Sequence, residues 1–202
     1  PILASFMFAN NEIGTIEPVG ELADVAHHNG WLFHTDAVQA VGHTAINVHE
    51  IGVDMLSSSA HKFNGPKGIG FLYKRRGLEW PSLLLGGSQE FGHRAGTENV
   101  ALIVGMAVAL QKNIDSLQEN IIHIQNLEEQ LLYGLKKNDI AFHRNGSPNH
   151  IVGNISLSFP DKDGEAILHR MDLMVINVST GSACDSKETQ ISHVLKAIHL
   201  QD

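Results

Sequence analysis

The residues best suited to chemistry are a lysine, an aspartate and a cysteine. Lys62 closes the run Ser59-Ala-His-Lys62, just after the apolar stretch Gly52-Val-Asp-Met-Leu56. An amine at the end of a buried strand suits Schiff-base chemistry, which needs a partly desolvated lysine. Read by itself, Lys62 is more simply a solvated surface lysine, as most lysines are. Asp36 follows Trp31-Leu-Phe-His34 and precedes Ala37-Val-Gln39; by itself it is a turn or capping aspartate. Together the two read differently. A strand-end carboxylate followed 26 residues later by a strand-end lysine is the layout of enzymes that use pyridoxal phosphate. There the carboxylate keeps the pyridine nitrogen protonated and the amine takes the aldehyde. Ser59 and His61 add hydroxyl and imidazole donors suited to a phosphate monoester. Each also suits an ordinary loop or core hydrogen bond.

Other segments are more ambiguous. The single cysteine, Cys184, lies in Thr180-Gly-Ser-Ala-Cys-Asp-Ser186, a small-residue loop that suits a thiol which must travel. A free cysteine is more often inert and buried, but these neighbours are not apolar. Gly86-Gly-Ser-Gln-Glu-Phe-Gly-His-Arg-Ala-Gly-Thr97 offers Arg94 and Thr97 to an anion, although its composition describes a flexible surface loop. Gly65-Pro-Lys-Gly-Ile-Gly70 departs from the phosphate-loop pattern and leads into a strand, which predicts a tight turn near the site. The thirteen histidines have no zinc-site spacing, so no metal site is expected.

These residues need elements to hold them. Residues 2–8 are continuously apolar, as expected of a strand buried on both faces. Val19 to His28 has helical periodicity with Gly30 to end it; strands follow at 31–34, before 57 and at 68–73. Strands alternating with helices predict βαβ units and a mostly parallel sheet, with ligands at the carboxyl ends of its strands. Asn10, Asn11, Asp36, Gln39, Ser59, His61 and Lys62 all fall at or just beyond such ends. Asn99 to Lys112 reads as a buried apolar helix, and Ile114 to Leu135 as a long amphipathic one. Further on, strands are expected at 151–159 and 174–178, and helices at 164–171 and 190–199. The predicted organisation is a large domain over 1–112 and a smaller α+β domain over 113–202.

With 14 basic against 22 acidic residues the net charge is −8. That excludes a sequence-independent nucleic-acid binder, which needs a basic footprint. No apolar run approaches the roughly 20 residues that span a bilayer, so no membrane partner is expected. One cysteine forms no internal disulfide, which favours a reducing, cytoplasmic setting.

Six motifs in order, Asn10-Asn-Glu-Ile-Gly14, His34-Thr-Asp-Ala-Val-Gln39, Ser59-Ala-His-Lys62, Gly65-Pro-Lys-Gly-Ile-Gly70, Arg94-Ala-Gly-Thr97 and Ser182-Ala-Cys184, resemble the NifS/IscS-like cysteine desulfurases of the class V aminotransferase fold. The resemblance implies an α/β fold-type I pyridoxal phosphate enzyme. In it Lys62 holds the cofactor aldehyde and shuttles protons, and Asp36 pairs with the ring nitrogen. Asn11 and Gln39 hydrogen-bond the ring oxygen. Ser59 and His61 bind the phosphate, and Thr97 reaches the phosphate of the other protomer of a homodimer with shared sites. Cys184 takes sulfur from L-cysteine as a persulfide, leaving alanine, and passes it to acceptors such as an iron–sulfur scaffold. The family is about twice this length, so the resemblance also implies that this chain is part of a longer subunit, inactive alone. Its substrate-binding arginine and ring-stacking residue lie outside these 202 positions. A class V aminotransferase, a selenocysteine lyase and a non-catalytic binding chain are the alternatives, and Cys184 discriminates the first of them.

Overall fold

The computed structural model describes residues 2–180 and 192–199. The chain divides into two compact units. The first comprises residues 1–8 and 17–117, the second residues 9–16 and 118–202.

The first unit is built on a four-stranded sheet in the order β1 (Leu3–Met7), β2 (Leu32–Asp36), β3 (Met55–Ser59), β4 (Gly70–Lys74). The first three strands are parallel, with Ser5 opposite His34 and Asp36 opposite Ser57; β4 returns antiparallel to β3. Helix α1 (Val19–His28) buries Val19, Ala23 and Ala26. Alternate side chains give the sheet two faces. Phe33, Thr35, Leu56 and Ser58 lie on the buried one, and Phe6 stacks on Phe33 with ring centroids 6.0 Å apart. A one-turn helix, α2 (Val48–Ile51), leads into β3; the side chain of Asn47 caps it by accepting from His49 N. Helix α3 (Val100–Asp115) ends the unit, capped by Asn99, whose Oδ1 accepts from Leu102 N at 3.2 Å.

The second unit carries α4 (Leu117–Lys137), a two-residue pair of strands β5 (His143–Arg144) and β6 (Leu157–Ser158), α5 (Gly164–Leu173) and α6 (His193–Ala197). The segment 9–16 belongs to it. Thr15 bridges to His150, Ile16 N donates to Asn149 O at 3.0 Å, and Ile151 N donates to Gly14 O at 2.8 Å.

Several expectations are corrected. Strand β1 is not buried on both faces: it lies at the sheet edge, with Leu3, Phe6 and Met7 exposed. The apolar helix α3 forms, but none of its residues is buried. It meets the unit along one side, where a Cβ at Gly105 would stand 2.9 Å from Pro66 Cγ; Val100, Val104 and Val108 are 66%, 55% and 51% exposed. Residue 112 itself lies within α3, and the two compact units divide after Leu117. Residues 174–178 are not a strand. After α5 the chain turns, with Val175 at a φ of 61°, and among the described residues no strand pairs with it. Of residues 151–159 only Leu157–Ser158 pairs.

Candidate active site

The carboxyl ends of β1, β2 and β3 lie at one edge of the sheet. There Phe8 N donates to Asp36 O at 2.7 Å and Ala37 N to Ser57 O at 2.9 Å. Asp36 is the last residue of β2, and its exposed carboxylate is oriented by Val38 N, which donates to Oδ1 at 3.0 Å. Gln39 lies in the turn that follows. Ser59 ends β3, and His61 and Lys62 are exposed on the 3-10 turn Ala60–Phe63 that continues it. Five of the expected residues, Asp36, Gln39, Ser59, His61 and Lys62, thus stand on two connections leaving adjacent strands.

The backbone under Lys62 is held from several sides. Ala60 N donates to Ile69 O at 3.0 Å and Gly65 N to Ala60 O at 2.8 Å. His43 Nε2 donates to Lys62 O at 2.7 Å, and Asn113 Nδ2 to Phe63 O at 2.7 Å. His43 and Asn113 went unnoticed in the sequence because their partners are backbone carbonyls 19 and 50 residues away; no local spacing signals such a contact. The Gly65–Gly70 segment is the tight turn expected. A Cβ on Gly70 would stand 2.4 Å from Ser58 O, so the strand returning from the turn lies directly against the end of β3.

Behind Asp36, on the same face of β2, His34 bridges Ser5 Oγ at 2.8 Å and Ser57 Oγ at 3.2 Å. Burial lowers the His34 pKa, and the Asp36 charge opposes that shift without reversing it.

The other expected residues belong to other segments of the chain. Thr97 is exposed on the loop leading to the α3 cap. In that loop Arg94 Nη1 donates to Gly96 O at 3.2 Å and Gly96 N to Gln89 Oε1 at 3.1 Å. Asn11 belongs to the second unit, where its carbonyl accepts from Asn154 Nδ2 at 3.0 Å. Cys184 lies outside the described residues. Among the described residues no group of three or more His, Cys, Asp or Glu could hold a metal ion, and no single helix is long and apolar enough to cross a membrane.

The family model for aminotransferase class-V matches residues 1–199. The chain belongs to that family. It is 49% identical over 200 residues to the cysteine desulfurase IscS of Dictyoglomus turgidum, covering 98% of this chain and 51% of that protein. It is 45% identical over 197 residues to the cysteine desulfurase IscS of Methanosarcina thermophila, covering 97% and 48%. Among solved structures, a NifS-like protein superposes with a TM-score of 0.87 at 36% identity, over 99% of this chain and 52% of that one. The chain thus spans about half the length of the curated relatives it matches. Its fold is the α/β, mostly parallel fold of the class-V family.

Proposed function

We propose that the protein is a pyridoxal phosphate-dependent cysteine desulfurase. The observation that carries this reading is the placement of Lys62 on the turn leaving β3, beside the strand that ends in Asp36, in a chain of this family. The donor set fits the cofactor. Among the described residues no carboxylate pairs with the exposed Lys62 amine, the Asp36 carboxylate is held by its own turn, and Ser59 and His61 bring hydroxyl and imidazole groups near the amine in sequence.

In this reading Lys62 holds the cofactor aldehyde and, once released by substrate, carries the substrate α-proton. Asp36 keeps a proton on the ring nitrogen, and Asn11 and Gln39 donate to the ring oxygen. Ser59 and His61 bind the phosphate. When bound, the cofactor supplies an electron sink for the carbanion left as substrate loses its α-proton. The Cys184 thiolate would attack the substrate sulfur: an S–S bond forms, the C–S bond breaks, and its electron pair stays on the β-carbon, which takes a proton so that the substrate leaves as alanine. Cys184 then holds a persulfide to be passed to an acceptor such as an iron–sulfur scaffold. The working unit is a homodimer in the cytoplasm, with Thr97 reaching the phosphate bound by the second copy. Leu83, Leu85 and Phe91, all highly exposed ahead of Thr97, are apolar surface that a second copy would cover.

Two measurements test this. The protein with added pyridoxal phosphate is expected to turn yellow, with borohydride fixing the cofactor at Lys62. With L-cysteine it is expected to form alanine and a sulfane sulfur on Cys184, both lost in Cys184→Ala. A colourless protein unmodified at Lys62 overturns the cofactor reading. Cysteine-to-alanine conversion that survives Cys184→Ala overturns the role of the thiol.

A further inference from the structure

The two connections that carry the candidate site are joined by one side chain. The first leaves β2 after Asp36 and is wound tightly on itself. Ala40 N and Val41 N donate to Ala37 O at 2.9 and 3.0 Å, and His43 N and Thr44 N both donate to Ala40 O at 3.0 Å. Asp36 and Gln39 therefore belong to a wound segment that ends at His43. The second connection is the 3-10 turn Ala60–Phe63, which carries Lys62. His43 reaches from the first to the second, where its Nε2 meets Lys62 O at 2.7 Å. A carbonyl only accepts, so Nε2 carries the proton.

A turn this short cannot satisfy its own last carbonyls. The amides that follow it, Asn64 N and Gly65 N, both turn back to Ala60 O. Lys62 O and Phe63 O take their donors from side chains distant in sequence, His43 for the first and Asn113 Nδ2, at 2.7 Å, for the second. The same Asn113 amide donates to Ala109 O at 2.8 Å, one turn back on α3. Asn113 is thus fixed to its own helix while it holds Phe63. The three segments meet closely. A Cβ at Gly42 would stand 2.7 Å from Phe63 Cβ and 3.5 Å from Asn113 Cβ. All of these bonds lie within the first compact unit.

We propose that His43 is a positioning residue that straps the connection carrying Asp36 and Gln39 to the turn carrying Lys62, with Asn113 bracing that turn from α3. The proposal rests on the reading of this protein as a pyridoxal phosphate enzyme, in which Asp36 and Lys62 take opposite ends of one rigid ring. Such a ring admits one separation between the two groups. The lysine amine hangs on a flexible four-carbon stem, so the fold sets only where that stem begins. A displacement of about 1 Å at a reacting group costs much of a rate. Strand pairing fixes Asp36 opposite Ser57, but at Lys62 the chain has left the sheet. The bond from His43 supplies a fixed reference there.

The test loads the whole protein with pyridoxal phosphate and compares wild type with His43→Ala, His43→Gln and Asn113→Ala. Borohydride trapping with peptide mass mapping gives the ratio of cofactor attached at Lys62 to cofactor bound but unattached. Amide hydrogen exchange at Gly65 reports on the turn, and exchange in α1 reports on the rest of the unit. His43→Ala should lower the ratio about fivefold, the shift that one lost hydrogen bond produces, and quicken exchange at Gly65 with α1 unaltered. Asn113→Ala should lower the ratio in the same direction. The amide nitrogen of His43→Gln stands as many bonds from the backbone as Nε2, so this variant should recover most of the loss. An unchanged ratio in either alanine variant overturns the proposal, and Asn113→Ala alone decides it if α1 exchange shows that His43→Ala has not folded. A His43→Gln variant no better than His43→Ala also overturns it, because the loss would then be one of packing. If wild type itself attaches no cofactor at Lys62, the functional reading fails, and wild-type trapping alone separates that result from the others.

Discussion

Asp54 shows how one residue can anchor the edge of the sheet opposite Lys62. It is fully buried and accepts from Phe33 N at 2.9 Å, His27 Nε2 at 2.8 Å and Arg75 Nε at 2.7 Å. Burial alone would raise its pKa; the Phe33 amide, His27 and Arg75 outweigh it and hold the carboxyl below the usual range. The unfolded chain then takes up the proton first. The stabilisation is complete above the ordinary value of 3.8 and is lost as pH falls through the lower folded value. Asp54→Asn should cost roughly 3 kcal/mol at neutral pH and flatten the acid limb of stability in urea melts from pH 2 to 7. A variant as stable as its parent would mean that the three donors contribute nothing net. His34 obeys the same logic at higher pH. Its folded pKa lies below 6.5, so its contribution is intact above that value and declines as pH falls from 6.5 through the folded one. His34→Gln should therefore remove part of the stability slope just below pH 6.5; an unchanged slope between pH 5 and 7 would show that His34 is not its source.

At the scale of elements, the turn Ala60–Phe63 depends on how closely its neighbours approach. Gly42 has a φ of +81°, and a Cβ there would stand 2.7 Å from Phe63 Cβ. Gly42→Ala should cost about 2 kcal/mol through strain and overlap. It should also slow borohydride fixation at Lys62, whose carbonyl is held from the same segment by His43. Full retention of both thermal stability and fixation rate would refute this coupling. The site was legible in the sequence at β2 and β3 because Asp36 and Lys62 stand where apolar runs stop. What those runs pack against was not legible. Ile2 to Phe8 is as apolar as a central strand, yet among the described residues β1 pairs with β2 alone. Val100, Val104 and Val108 are spaced like a core stripe and face outward. Met174 to Val178 has strand composition, but a strand exists only where another supplies its hydrogen bonds. The buried pair of Glu128 with Arg144, 2.6 Å apart, escaped for a related reason: one comes from a helix and the other from a two-residue strand, each unremarkable in its own segment.

At the scale of the whole molecule, Val100, Val104 and Val108 form an exposed apolar stripe on α3, a surface suited to association. Val104→Lys should leave thermal stability within about 0.5 kcal/mol and lower concentration-dependent association in sedimentation velocity; unchanged sedimentation would remove the stripe from consideration. The path of the chain has another consequence. After Phe8 it leaves the first unit, lends residues 9–16 to the second, and returns at Glu17. Thr15 meets Ser147 across 132 residues, and Asn11 meets Asn154 across 143. A ribosome adding about 5–20 residues each second delivers that partner roughly 7–30 s after the loop has emerged. Through that interval the strands of the first unit can pair while the Asn11 segment has no seat. The loop is thus synthesised well before its seat and becomes ordered late.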